Sequence, residues 1–208
     1  MEISLYFKGI LIGLAIAAPI GPVNLIIVTR TLNMGRRLGW ISGFGAVVTD
    51  LIYGSIASFG LTLLSDILLS HQVVFRVLGG LALIALGTRT GLRNAGRDFV
   101  KDKEPTRLAY ASAFGSVFLI NLLNPMTIMT WLAVITGLGL TGTALTGAAG
   151  PMTIVFGVLT GTLSWITFLV LAAHWLLNRM HERWLRGLNI AAGVGLVFFG
   201  AAAAISAL

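Results

Sequence analysis

Apolar runs fill almost the whole of this 208-residue chain, and the longer polar interruptions are basic only after every second run. A helix needs about 20 mainly apolar residues to cross the hydrocarbon core of a bilayer. Six stretches are candidates: Leu5–Val28, Gly39–Leu64, Val73–Thr88, Leu108–Leu138, Pro151–Leu177 and Leu188–Leu208. The third is short and the fourth is long and interrupted. The runs are continuous rather than alternating, which argues against a transmembrane β-barrel. Only 10% of residues are charged and the mean hydropathy is +0.95, whereas a soluble chain carries about a quarter charged residues. The expected fold class is therefore an all-α integral membrane protein with six transmembrane helices. The first run is read as a retained span, because it has almost no charged n-region and exceeds the usual h-region of a signal peptide.

The charge pattern sets an expected orientation. Arg30, Arg36 and Arg37 follow the first run; Arg89, Arg93, Arg97, Lys101, Lys103 and Arg107 follow the third; Arg179, Arg183 and Arg186 follow the fifth. The loops after runs two and four carry no Lys or Arg. The positive-inside rule then puts the basic loops in the cytoplasm and both termini outside. Lys8 and Arg76 are exceptions near outer helix ends, where long side chains reach the interface. The net charge of +7 is explained by these loops and by contact with anionic lipid, so nucleic acid is not an expected partner. With no cysteine, thiolate catalysis and cysteine ligation are excluded.

Three runs per half is an odd number, so two tandem copies would face opposite ways across the membrane. Gly45, Asp50 and Tyr53 recur as Gly157, Thr162 and Trp165 at an offset of 112, and Gly80 and Gly87 recur as Gly193 and Gly200 at an offset of 113. Two inverted three-helix repeats are expected, residues 1–89 and 108–208, joined by a cytoplasmic linker at 90–107 in one membrane domain. Inverted repeats place a substrate site near the bilayer midplane and let one half rock against the other.

Both halves carry a break in their first run. Pro19, Gly21, Pro22 and Asn24 fall within six residues, and the second half answers with Asn121, Asn124 and Pro125. Each proline lacks an N–H and frees the carbonyl four residues earlier: Ala15 for Pro19, Ala18 for Pro22 and Asn121 for Pro125. Bare carbonyls are not tolerated in lipid, so these segments should face protein or a wet cavity. Freed carbonyls, amide side chains and half-helix ends can then hold the polar groups of a substrate.

Asp50 is the acidic residue well inside a run. Such a group is costly in lipid and normally faces a pathway. Three roles are open: binding a cationic group, taking up and releasing a proton, or partnering a buried hydroxyl or amide. Tyr53 lies one turn away on the same helical face, where its hydroxyl could reach the carboxylate or a substrate. Thr162 and Trp165 are the corresponding candidates in the second half, and the uncharged Thr162 makes the expected site asymmetric.

Other chemistry is weakly supported. His71, His174 and His181 sit at run ends or loops without metal-ligand spacing, and no serine has a histidine base at matching depth. No metal, cofactor or catalytic constellation is expected. Small-xxx-small pairs at Gly9/Gly13, Gly39/Gly43 and Gly157/Gly161 serve either internal packing or a homodimer.

The segments Ala18-Pro19-Ile20-Gly21-Pro22-Val23-Asn24, Gly45-x-x-x-x-Asp50-x-x-Tyr53, Asn121-Leu122-Leu123-Asn124-Pro125 and Gly161-Thr162-Leu163-Ser164-Trp165 resemble the lysine-exporter (LysE/RhtB) family over nearly the whole chain. That resemblance implies proton-driven export of amino acids or related small metabolites across the bacterial cytoplasmic membrane. It implies that Pro19, Gly21, Pro22, Asn24, Asp50, Asn124 and Pro125 are functional positions. In many family members the Pro-Gly-Pro motif is uninterrupted; here Ile20 separates Pro19 from Gly21. The wider superfamily also moves metal ions, so a cation exporter is the alternative expectation.

Overall fold

The structure, a computed structural model, describes residues 2–19, 21–59, 70–92, 105–124, 127, 130, 131, 149–177, 179 and 182–206. Among them are seven principal helices and no strand: α1 (Glu2–Ala17), α2 (Pro22–Met34), α3 (Arg36–Phe59), α4 (Gln72–Gly91), α5 (Arg107–Leu123), α6 (Ala149–Leu177) and α7 (Glu182–Ile205). Pro125, the linker 93–104 and the loop 132–148 lie outside the described residues.

The first apolar run is two helices, bent by 78°. The last α1-type bond runs from Ala18 N to the Leu14 carbonyl at 2.8 Å. Gly21 then takes extended backbone and Pro22 occupies the first turn of α2, where a missing N–H costs nothing. The next turn resumes with Leu25 N donating to the Gly21 carbonyl at 3.1 Å. Gly35, at φ 88, turns the chain from α2 straight into α3, in a backbone region that glycine enters without steric cost. Arg30 therefore lies inside α2 rather than in a loop after the first span, a correction to the boundaries read from hydropathy.

Among the described residues, three helices are each long and apolar enough to cross a membrane, within α4, α6 and α7, and the bent α1–α2 pair makes a fourth. The 17-residue α5 is shorter but apolar. It stops at Asn124, immediately before Pro125, as expected where the following proline disfavours a helical residue.

α4 packs mainly on α7, α1 on α6, and α3 on both α5 and α6, while α2 sits among α3, α5, α6 and α7. Around α2 lies an apolar core of Ile26, Ile27, Leu83, Val117, Ile120, Val170 and Leu196. Phe7, Leu11, Leu78, Phe156, Phe168 and Phe198 are exposed on the outer faces, while Asn24, Thr49, Asp50, Asn121, Thr162 and Asn189 are buried. Polar residues inside and large apolar residues outside are the arrangement that lipid, not water, stabilises. This is a multi-pass membrane protein.

Glycines set the tightest crossings. A Cβ at Gly80 would stand 2.6 Å from the Gly200 carbonyl oxygen, and one at Gly200 would stand 2.6 Å from that of Gly80. Gly87 and Gly193 face each other in the same way at 2.7 Å. Gly9, Gly13, Gly157 and Gly161 all lie on the α1–α6 contact, Gly39 meets Thr31 and Gly43 meets Ile166. The small-xxx-small pairs thus serve packing within the chain. Asn33 and Asn189 exchange two amide hydrogen bonds, of 2.7 and 2.9 Å, which fasten α2 to α7.

Candidate functional site

Four elements meet at one small cavity of about 90 Å³: the α1–α2 break, the middle of α3, the end of α5 and the middle of α6. Pro19, Gly21, Pro22, Asn24, Asp50, Asn121, Asn124 and Thr162 all line it. Eight of the residues singled out in the sequence are thereby brought together from segments more than a hundred positions apart.

The break forms its wall because of one amide. Asn24 Nδ2 donates to the carbonyls of Ala17 and Pro19, each at 2.8 Å. These are not the Ala15 and Ala18 carbonyls expected from proline spacing. Where α1 stops, Ala17 loses its helical acceptor role, and the side chain one turn into α2 substitutes for the missing N–H groups. Both Nδ2 hydrogens are consumed, so Asn24 offers the cavity its Oδ1, an acceptor.

Asp50 is 3% exposed. Its Oδ2 accepts from the Thr162 hydroxyl at 3.2 Å, and its Oδ1 faces the indole N–H of Trp131 at 3.5 Å. Neutral donors offset only part of the cost of removing a carboxylate from water. Asn121 Oδ1 accepts from the Thr127 hydroxyl at 2.9 Å, and its Nδ2 reaches the Ala46 carbonyl at 3.4 Å. Asn124 is buried at the C-terminal cap of α5.

Two candidates sit elsewhere. Tyr53 is buried, but its hydroxyl donates to the Leu122 carbonyl at 2.6 Å, tying α3 to the end of α5 rather than reaching Asp50. Trp165 stacks at an angle on the outward Phe168, ring centroids 5.5 Å apart, and its indole N–H is buried with no hydrogen-bond partner among the described residues. Neither lines the cavity. Pro125 falls outside the described residues.

Thr127, Thr130 and Trp131 belong to the site and were not anticipated. Their signal is present: Asn121, Asn124, Thr127 and Thr130 recur every third residue across the break, a polar stripe on one helical face. Trp131 follows it, and a buried indole needs an acceptor for its N–H. Among the described residues, no cluster of His, Cys, Asp or Glu could hold a metal ion.

Comparison with known proteins gives a consistent picture. The family described as "LysE type translocator" matches residues 14–207. A Bacillus subtilis (strain 168) protein named "Putative amino acid efflux protein YcgF" is 32% identical over 199 residues, covering 95% of this chain and 93% of that protein. No solved structure matches the chain.

Proposed function

Because this chain belongs to the LysE type translocator family, an efflux family, we propose that it exports amino acids or related small metabolites from the bacterial cytoplasm, coupled to protons, by alternating access at the Asp50 cavity. The observation that carries this reading is the buried Asp50 carboxyl on a polar cavity, beside a helix break whose carbonyls are capped from within. A group this costly in lipid normally faces a cargo or proton pathway.

The proposed architecture is two inverted three-helix repeats, with both termini outside the cytoplasmic membrane. Support comes from the contacts that counterpart residues make. Asp50 and Thr162, equivalent in the two halves, touch each other, as residues on a twofold axis must. Gly80 and Gly193 are equivalent, as are Gly87 and Gly200. A twofold rotation exchanging α4 and α7 would turn the Gly80–Gly200 contact into the Gly193–Gly87 contact, and both contacts are present.

In this mechanism the chamber is in a contracted state. At about 90 Å³ it is well below the roughly 300 Å³ of an ordinary ligand pocket. Ile26, Ile27, Val117 and Ile120 pack together in the core along α2 and α5, and Ile27 also lines the chamber. Asp50 takes the ammonium of the cargo or the returning proton, Asn24 presents its acceptor, and Asn121 and Asn124 complete the polar wall. Tyr53 acts from outside the cavity by tying α3 to the end of α5, and Trp165 packs on Phe168 of its own helix. Pro19, Pro22 and Pro125 disfavour continuous helix at the two breaks, with Gly21 adding backbone freedom at the first.

The test is flux of radiolabelled amino acids in proteoliposomes, with and without a pH gradient, for the natural protein and Asp50→Asn. Gradient-driven flux that the substitution abolishes supports the reading. Flux of a divalent cation in place of any amino acid overturns it in favour of a cation exporter.

A further inference from the structure

The Asp50 cavity lies between two apolar clusters strung along α6. Ile154 and Val158 of α6 join one of them with Tyr53, Ile56 and Trp131, and Ala173 and Leu177 join the other with Leu32 of α2 and Leu185 of α7. Thr162 and Ile166, between these positions on the same helix, line the cavity. The second cluster belongs to the basic face of the bundle. Arg36 follows Leu32 by one helical turn of sequence, and Leu185 stands between Arg183 and Arg186.

Beside that cluster α2 and α7 are joined by two amides. Asn33 Nδ2 donates to Asn189 Oδ1 at 2.7 Å, and Asn189 Nδ2 returns a bond to Asn33 Oδ1 at 2.9 Å. Asn33 Nδ2 also donates to the Thr29 carbonyl at 2.7 Å, which holds the side chain against its own helix. Asn189 is buried and Asn33 half-buried. Asn33 stands nine residues beyond Asn24, so the pair is about 14 Å along α2 from the cavity, toward the basic face. Water decides how strong such a pair is. Parting the amides within a dry interface leaves their facing donors and acceptors unsatisfied, at the full desolvation cost. Once water has entered, it supplies the same bonds, and the pair is worth only the small net difference of an exchange. Neither amide carries a charge, so the parted state escapes the penalty of a separated buried ion pair. The contact thus holds firmly when dry and releases when wet, which favours a fully shut or a fully open interface over a half-open one.

We propose that Asn33 and Asn189 are the latch of a gate on the basic face, and that they part to admit cargo from the cytoplasm to the Asp50 cavity. They are positioning residues: neither lines the cavity, and they act by holding α2 to α7. This rests on the efflux reading. The competing role is a permanent fastener, the use that buried amides have in many membrane bundles, and a fastener never opens.

The chain has no cysteine, so Ala46→Cys gives a single reporter thiol in the wall of the Asp50 cavity. A membrane-impermeant methanethiosulfonate is added to inside-out and to right-side-out membrane vesicles. Adding Asn189→Ala should raise the rate of labelling from the cytoplasmic face by about fivefold, the effect of one net hydrogen bond, and should lower it from the opposite face. Tyr6→Phe, which deletes the 2.9 Å bond between the Tyr6 and Thr160 hydroxyls on the α1–α6 contact, should change neither rate. In a second measurement, Asn33→Cys and Asn189→Cys are bridged with ethane-1,2-diyl bismethanethiosulfonate. Bridging should abolish amino-acid flux in proteoliposomes, and dithiothreitol should restore it. No rise in labelling, an equal rise from both faces, or full flux in the bridged protein overturns the latch and leaves a fastener. If the reduced cysteine pair is inactive, the labelling rates alone decide. Labelling requires no transport, so failure of the latch is distinct from failure of the Asp50 reading, which shows as absent flux in the natural protein.

Discussion

The Thr162 hydroxyl donates to Oδ2 of Asp50 at 3.2 Å across 112 positions of sequence, joining α6 to α3 at the wall of the cavity. The pair is asymmetric in chemistry, a carboxyl against a hydroxyl, though the two positions correspond in the proposed repeats. Removing either partner should therefore have different consequences. Asp50→Asn should abolish gradient-driven flux with little loss of stability, since an amide fills the same space. Thr162→Val should destabilise by about 1–3 kcal/mol, the cost of leaving a buried polar group short of a donor, and should reduce flux without abolishing it. Proteoliposome flux and reversible unfolding in mixed micelles measure the two effects, and the double variant should show the non-additivity of contacting residues.

Trp131→Phe keeps most of the ring volume and removes the indole donor facing Oδ1 of Asp50. The expected result is a several-fold fall in flux with near-normal stability, because one hydrogen bond is worth only about 1 kcal/mol net. A variant as active as the natural protein would mean that the indole serves packing with Tyr53 and does not tune the carboxyl.

Asn24→Leu strips the caps from the Ala17 and Pro19 carbonyls. Each orphaned carbonyl costs about 1–3 kcal/mol when buried, so the loss should exceed that of a single-bond deletion elsewhere in the bundle. Asn24→Asp, which lacks the donating amide, should be nearly as damaging. Thermal unfolding in detergent ranks the three proteins. Equal stability of Asn24→Leu and the natural chain would show that water, not the amide, satisfies the break.

At the α4–α7 crossing, Gly193→Val should destabilise by roughly 1–3 kcal/mol through overpacking, since a Cβ there would stand 2.7 Å from the Gly87 carbonyl and the Gly91 backbone. Gly115→Ala and Gly187→Ala meet nothing within 4 Å. They should be neutral or stabilising by up to about 1 kcal/mol, the helix propensity gained over glycine. Melting temperatures of the three variants separate close approach from mere helical glycine content.

Much of the site was written in local residue chemistry. Pro19 and Pro22 cannot continue a helix, so the break was fixed wherever the chain folded, and Asp50 had to face inward because lipid would not hold it. Pattern also located Thr162, through its offset from Asp50. Tyr53 shows the limit of such reading: its hydroxyl donates to the Leu122 carbonyl, an acceptor that helical position alone does not reveal. Trp165 likewise sits one turn from Thr162, yet packs outward on Phe168.

By itself the sequence determined that the chain is helical and membrane-embedded, where its first helix is interrupted, and which polar residues had to be sheltered, because each of these follows from the bond-forming capacity of single residues in a solvent without hydrogen bonds. Only the tertiary structure decided who shelters them. The caps on Ala17 and Pro19, the indole beside Asp50 and the clasp of Arg30 on Ser42, Ala113 and Ser116 are pairings between helices. They depend on crossing angle and register, set by glycine contacts and by the packing of the whole bundle at once.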